Sequence, residues 1–205
     1  MLTKSERKTH WEEIYSTKKF EDASWYQLVP KTSIDLINKY SKSLDDKIID
    51  VGGGDNYLSK YLLEEGYKNL FLMDISEKAL ERAVKKVSKE KVNFICSDVV
   101  DLDIKEEFDI WHDRAVFHFF ENEEDVIKYK DVLKKHTNDN SIILIATFSK
   151  RGPLKCSGID IKQYDLNDLS NVFNDSFNII ETFEENHTTP SGSIQNFNFF
   201  VLKKK

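Results

Sequence analysis

Cysteine is scarce in this sequence: Cys96 and Cys156 are its only two. No CxxC pair or Cys/His cluster has ligand spacing, so neither a disulfide framework nor a metal site is expected. Cys96 lies in an apolar run and reads as a core residue. With only three prolines, no repeat and no low-complexity linker, residues 1–205 read as one domain. No apolar segment approaches bilayer-spanning length, and the start, MLTKSERKTHWEE, lacks the apolar core of a signal peptide. A cytoplasmic protein without a membrane partner is the expectation. An excess of positive charge is missing too. The formal net charge of -6 argues against a nucleic-acid partner, which clustered Lys and Arg would attract. Lys203 to Lys205 read as a solvated tail.

Glycine is sparse as well, seven in all, yet three stand together at Gly52 to Gly54. They follow a short apolar strand candidate (Ile48, Ile49, Val51) and precede helical spacing through Tyr57, Leu58, Tyr61 and Leu62. A second apolar run, Leu70 to Met73, then ends on Asp74. A strand, glycine turn, helix and strand, with an acidic residue about 20 positions past the glycines, is the layout of a nucleotide-type site at the edge of a parallel sheet. Tyr57 stands where a dinucleotide fingerprint needs its third glycine, and no Gly-Lys-Ser/Thr is present, so pyrophosphate has no cradle.

The stretch Asp50-Val-Gly-Gly-Gly-Asp-Asn56 resembles the first motif of the class I S-adenosylmethionine (SAM) methyltransferases. It departs at Asn56, where the family commonly has a third glycine; Asn tolerates positive φ, so the turn is expected to form. The resemblance implies SAM as cofactor. It also implies a Rossmann-like α/β fold, a three-layer αβα sandwich with a mostly parallel seven-stranded sheet and a C-terminal antiparallel hairpin. Asp74 is the ribose candidate and Asp50 the partner on the head-group side. Gly52, Gly54 and Asn56 shape the turn. Asp98, at the end of the strand candidate 92–96, matches the family's adenine contact, with Ile75 and Val99 beside the two acidic positions. As a turn residue, Asp98 also suits a cap.

Residues 5 to about 17 read as an amphipathic helix presenting Trp11, Ile14 and Tyr15. With Trp25 in the following loop, these aromatics either close over a sulfonium, as cations attract aromatic faces, or staple the helix to the sheet. The segment HWEEIYSTKKFEDASWYQ resembles the pocket-closing amino terminus of small class I methyltransferases, which makes Trp11, Tyr15 and Trp25 cofactor contacts within a cap over 1–45. A helix over 30–41 follows, and Ser76 is the N-cap of another, running to about Val87.

In FDIWHDRAVFHFF (108–120), a buried strand to Trp111 would release His112, Asp113 and Arg114 at the ligand-binding edge. The Asp/Asn-Pro-Pro-Tyr motif of nucleic-acid amino-methylating enzymes is missing. Asp113-Arg114 resembles the Asp-Lys-Gly-Thr type motif of a branch that includes protein-lysine methyltransferases. Asp113 and His118 are the candidate general bases, should the acceptor arrive protonated; a structural histidine is the plainer reading of His118. A charged amphipathic helix over 121–136, a strand over 141–150, a loop 151–158 that either faces substrate or lies on the surface, a short helix over 165–173 and two closing strands complete the chain. The expected function is SAM-dependent methyl transfer to a small-molecule acceptor. A protein-lysine substrate and a SAM-binding module without turnover are the alternatives.

Overall fold

The computed structural model of the protein describes residues 2–205. A seven-stranded sheet runs through it in the order β3-β2-β1-β4-β5-β9-β8. These strands are β1 (Lys47–Val51), β2 (Asn69–Asp74), β3 (Val92–Cys96), β4 (Phe108–Arg114), β5 (Thr137–Phe148), β8 (Phe177–Thr188) and β9 (Ile194–Lys204). The first five pair in parallel, whereas β9 lies antiparallel between β5 and β8. A separate small hairpin joins β6 (Lys155–Cys156) to β7 (Ile159–Asp160). The last strand thus inserts beside the fifth, as the resemblance implies.

Near-continuous apolar runs are needed because both faces of the sheet are covered. Successive side chains alternate between those faces. Ile48, Leu70, Leu72, Ile110, Ile142 and Leu144 meet Ile34 and Ile37 of α2 (Lys31–Tyr40) and Leu58 and Leu62 of α3 (Leu58–Glu64). Leu80 and Ala83 of α4 (Glu77–Ala83) join the same face. On the other face, Ile49, Val51, Met73, Trp111, Ile143 and Ile145 meet Tyr129 and Leu133 of α5 (Glu123–Lys135) and Phe173 of α6 (Leu166–Phe173). A register irregularity between Phe108 and Ile110 puts Phe108 on the α5 face although its number has the parity of the α2 face. The first helix, α1 (Lys4–Thr17), starts at a Thr3–Glu6 capping box and buries only Tyr15 fully.

Several boundaries differ from the sequence expectation. β4 runs through Arg114, so His112 and Asp113 lie within the strand instead of beyond it. β5 begins at Thr137, because the parallel ladder to β4 already starts there. α4 ends at Ala83, short of Val87, and Cys96 is exposed at the end of edge strand β3 rather than in the core. The expected lysine tail is largely strand: β9 extends to Lys204, whose ammonium donates to the carbonyls of Lys134 (3.0 Å) and Thr137 (2.6 Å). No helix of the described residues is long and apolar enough to cross a membrane.

Candidate functional site

The strand order reverses between β2 and β4, which flank β1, and ligands bind such sheets in the crevice at that switch point. The glycine turn sits there. Gly52 (φ 63°) and Gly54 (φ 55°) adopt the left-handed backbone that glycine alone takes freely. Asn56 does not use positive φ, contrary to expectation. It closes the turn with its side chain, donating from Nδ2 to Asp50 Oδ2 (2.9 Å) and accepting the Leu58 N–H at Oδ1 (2.7 Å).

Asp74 ties this turn to the next. Its Oδ2 accepts the Gly54 N–H (3.0 Å) and its Oδ1 the Ser76 N–H (2.8 Å), while Ser76 caps α4 through the Ala79 N–H. Burial pushes the Asp74 carboxyl up to about 7, against the opposing pull of the Ser76 and Gly54 hydrogen bonds. Asp50, Asp74 and Asp98 are only 3%, 5% and 6% exposed, and all three line one cavity at the carboxyl edge of the sheet. Their residual surface is therefore cavity surface.

Asp98 accepts the Val100 N–H at Oδ1 (3.3 Å), the capping role that its turn position suggested. Its Oδ2 receives Arg7 Nη2 (2.9 Å), and the same guanidinium reaches Asp125 (2.8 Å). Arg7, from α1, thereby closes one end of the cavity with charge-assisted bonds. Glu12 adds a second anchor by accepting the Glu77 N–H (2.6 Å) at the start of α4. Nothing in the spelling of α1 singled out Arg7, since its partners lie 91 and 118 residues away.

Trp11, Tyr15 and Trp25 all line the cavity. They also pack on each other, Trp11 meeting Trp25 at 5.8 Å and 74° and Phe119 at 5.5 Å and 79°. Edge-to-face contacts of this kind hold a cap in place while leaving ring faces available. Tyr15 is fitted tightly to the turn: a Cβ at Gly54 would fall 2.2 Å from its hydroxyl and 3.1 Å from Cζ. Gly54→Ala is accordingly expected to cost about 3 kcal/mol, ~1–2 from the positive φ and the rest from overpacking. In a Tyr15→Phe background, which removes the hydroxyl but keeps Cζ, most of the overpacking should be relieved and chiefly the φ cost should remain; additive losses in a urea-denaturation cycle would contradict this fit.

Ile75, Val99, Gly52 and Asn56 line the same cavity, whereas Gly54 contributes through its N–H to Asp74. The two candidate bases are not brought there. Asp113, wholly buried on the α5 face, accepts the Val116 N–H (2.8 Å), the Phe117 N–H (3.1 Å) and the Tyr129 hydroxyl (2.7 Å). These bonds hold the turn after β4, where Ala115 takes φ 74°. His118 is buried between Phe119 and Phe148, and burial, then the charge of Arg114, lowers its imidazole to about 3. Strand alternation is the reason: Asp113 points away from the face that carries its neighbours His112 and Arg114.

Those neighbours do line the cavity. His112 pairs in register with Asp50, and its Nδ1 lies 2.7 Å from Asp50 Oδ1 while Nε2 lies 2.8 Å from Ser33 Oγ. The ring thus bridges the Asp50 carboxylate and the Ser33 hydroxyl, which links α2 to β1 and β4. Arg114 stands one turn of the pleat further on, with its Nη1 donating to the Trp25 carbonyl at 3.4 Å. A period of two counted from Ile110 would have placed His112 and Arg114 on the α2 face; Ser33 carries no comparable signal.

This geometry suits the parts of SAM. Buried carboxylates stand where hydroxyl donors are to be met, and Met73, Ile75, Val99 and Phe120 give apolar walls for a base. The family model described as methyltransferase domain matches residues 49–136. An uncharacterized methyltransferase of Schizosaccharomyces pombe is 34% identical over 110 residues, 52% of this chain and 74% of that protein. A malonyl-[acyl-carrier protein] O-methyltransferase of Priestia megaterium is 28% identical over 124 residues, 60% of this chain but 42% of that protein, so the match spans less than half of the relative. A SAM-dependent methyltransferase from Anabaena variabilis superposes with a TM-score of 0.78 over 100% of this chain and 96% of that one, at 14% identity, a likeness of fold. The glycine turn, the shared fold and the well-covered relative make this chain a member of the class I SAM-dependent methyltransferases.

Proposed function

We propose that this protein transfers a methyl group from SAM to a small-molecule acceptor, the described residues acting as one domain in which those up to 45 form a cap. The observation that carries the reading is that one cavity is lined both by the glycine turn, Asp74 and Asp98 and, beyond them, by Arg114 and Cys156. SAM supplies a methyl group already activated on a sulfonium, so the chain has chiefly to align donor and acceptor and exclude water. In this reading Asp74 takes the ribose hydroxyls and Asp98 the adenine amino group, flanked by Ile75 and Val99. Trp11, Tyr15 and Trp25 turn aromatic surface toward the sulfonium. Asp50 serves the head-group side while it braces the turn through His112 and Asn56.

The cytoplasm is the compartment we assign, a reducing one that suits two free cysteines. A protein-lysine acceptor loses its main support with Asp113 bonded into a turn, and a binding module without turnover is disfavoured by the continuation beyond the glycine turn. Calorimetric titration should show SAM and S-adenosylhomocysteine binding and NAD not binding, because Tyr57 replaces the pyrophosphate glycine. Failure of both adenosyl ligands to bind would end this reading.

A further inference from the structure

The end of the cavity away from Asp74 and Asp98 holds an unpaired cation and no free base. Among the described residues that line it there, His112 is saturated by Asp50 and Ser33. The Cys156 thiol is pushed up to about 12 by burial, and so stays protonated. Arg114 is different. Its partners are a single carbonyl, that of Trp25 at 3.4 Å, and the ring of Phe197, whose centroid lies 4.8 Å from the guanidinium carbon. Neither neutralises its charge. Arg7, the cavity's other guanidinium, is held by two carboxylates. Burial brings Arg114 down to about 10 against the opposing pull of the Glu185 and Asp50 carboxylates, which act on it without ion-pair contact, and it stays charged at neutral pH.

We propose that the methyl acceptor is a small carboxylate, seated on the Arg114 guanidinium; this rests on the methyltransferase reading above. Direction supports an acceptor over the donor's own carboxylate. Phe197 belongs to β9, which is separated from β4 by β5, whereas β1 and its glycine turn lie on the opposite side of β4. With strands about 4.8 Å apart, the charge is carried away from the glycine turn by up to roughly 10 Å. A planar guanidinium matches a carboxylate's two oxygens, the usual reason for Arg at such sites. The chemistry then needs no base. One carboxylate oxygen uses a lone pair to form the C–O bond to the methyl carbon; the C–S bond breaks and its electron pair stays on sulfur. The carboxylate becomes a neutral ester, the sulfonium a neutral thioether, and no proton moves. This agrees with the burial of Asp113 and His118 outside the cavity.

The test uses the full chain saturated with S-adenosylhomocysteine and titrated with acetate, benzoate and malonate, each against its amide. Transfer from methyl-tritiated SAM to the same compounds and to 2-mercaptoethanol is measured alongside. At least one acid should bind and yield a base-labile methyl ester, with its amide inert. Arg114→Gln should lower acid binding and kcat/KM at least tenfold, leave S-adenosylhomocysteine affinity within twofold, and be partly rescued by Arg114→Lys. The retained affinity also reports that the variant is folded. Acids and amides behaving alike, or the thiol labelled in their place, would overturn the acceptor class. Parallel loss of S-adenosylhomocysteine affinity in Arg114→Gln would assign the guanidinium to the donor. Wild-type protein that binds no adenosyl ligand would instead sink the methyltransferase reading itself.

Discussion

Asp74→Ala is expected to weaken S-adenosylhomocysteine binding by about 100-fold. Hydrogen bonds to a charged group contribute about 1.5–3 kcal/mol, and the substitution also orphans the buried N–H groups of Gly54 and Ser76 that shape two turns. The wild-type affinity should depend on pH for the same reason. A carboxyl held at about 7 is half protonated near neutrality, whereas accepting two ribose hydroxyls favours the ionised form. Binding must then release a proton below that pH, and affinity should fall as the pH drops from 8 to 6. Stability runs the other way. The folded carboxyl binds its proton more tightly than the unfolded one, so raising the pH from about 4 through 7 makes this group progressively destabilising. Asp74→Asn should flatten both profiles; calorimetric titrations at three pH values, with an Asn variant as steep as the wild type, would contradict the assignment.

Asp113→Ala is expected to act on the fold, with a loss of about 4 kcal/mol, because three buried donors lose their acceptor at ~1–3 kcal/mol each with partial relaxation. Tyr129→Phe removes one of those bonds and also the acceptor of the buried Trp111 indole N–H (3.1 Å), and should cost about 2–3 kcal/mol. Burial raises the Asp113 carboxyl to about 6, against the Tyr129, Val116 and Phe117 bonds, so its contribution also diminishes as the pH rises through 4 to 6. Urea denaturation measures both variants. A stable Asp113→Ala protein that has lost turnover would return Asp113 to the chemistry, in spite of its place outside the cavity.

The difference between Asp74 and Asp113 shows what could be read from spelling. Asp74 closes a short local unit, β1 to β2, in which turn, helix and strand follow within some 25 residues, and local order alone brings it to the glycines. Asp113 lies within a strand whose inward and outward positions depend on register, and the irregularity near Phe108 disturbs a count of twos taken from the strand's first residue. The sequence expectation ends the strand at Trp111 and takes Asp113 from a motif resemblance, one position away from His112 and Arg114, which line the cavity. His118 lies in a 3-10 turn, Phe117–Phe119, that directs its imidazole into the aromatic core, in keeping with the plainer, structural reading of that residue.

Sequence by itself determined the glycine turn with Asp74 and the acidic strand ends, because these depend on local periodicity and on neighbours in the chain, whereas the parallel sheet and its closing hairpin follow from the family resemblance that those motifs carry. Only the tertiary structure decided which side chains share the cavity. Ser33, Asp50 and His112 come from three elements, Arg7 finds Asp98 and Asp125 across the whole cap, and Arg114 meets no carboxylate at ion-pair distance among the described residues. Pairings of that kind are set by strand register and cap docking, which no local pattern of residues records.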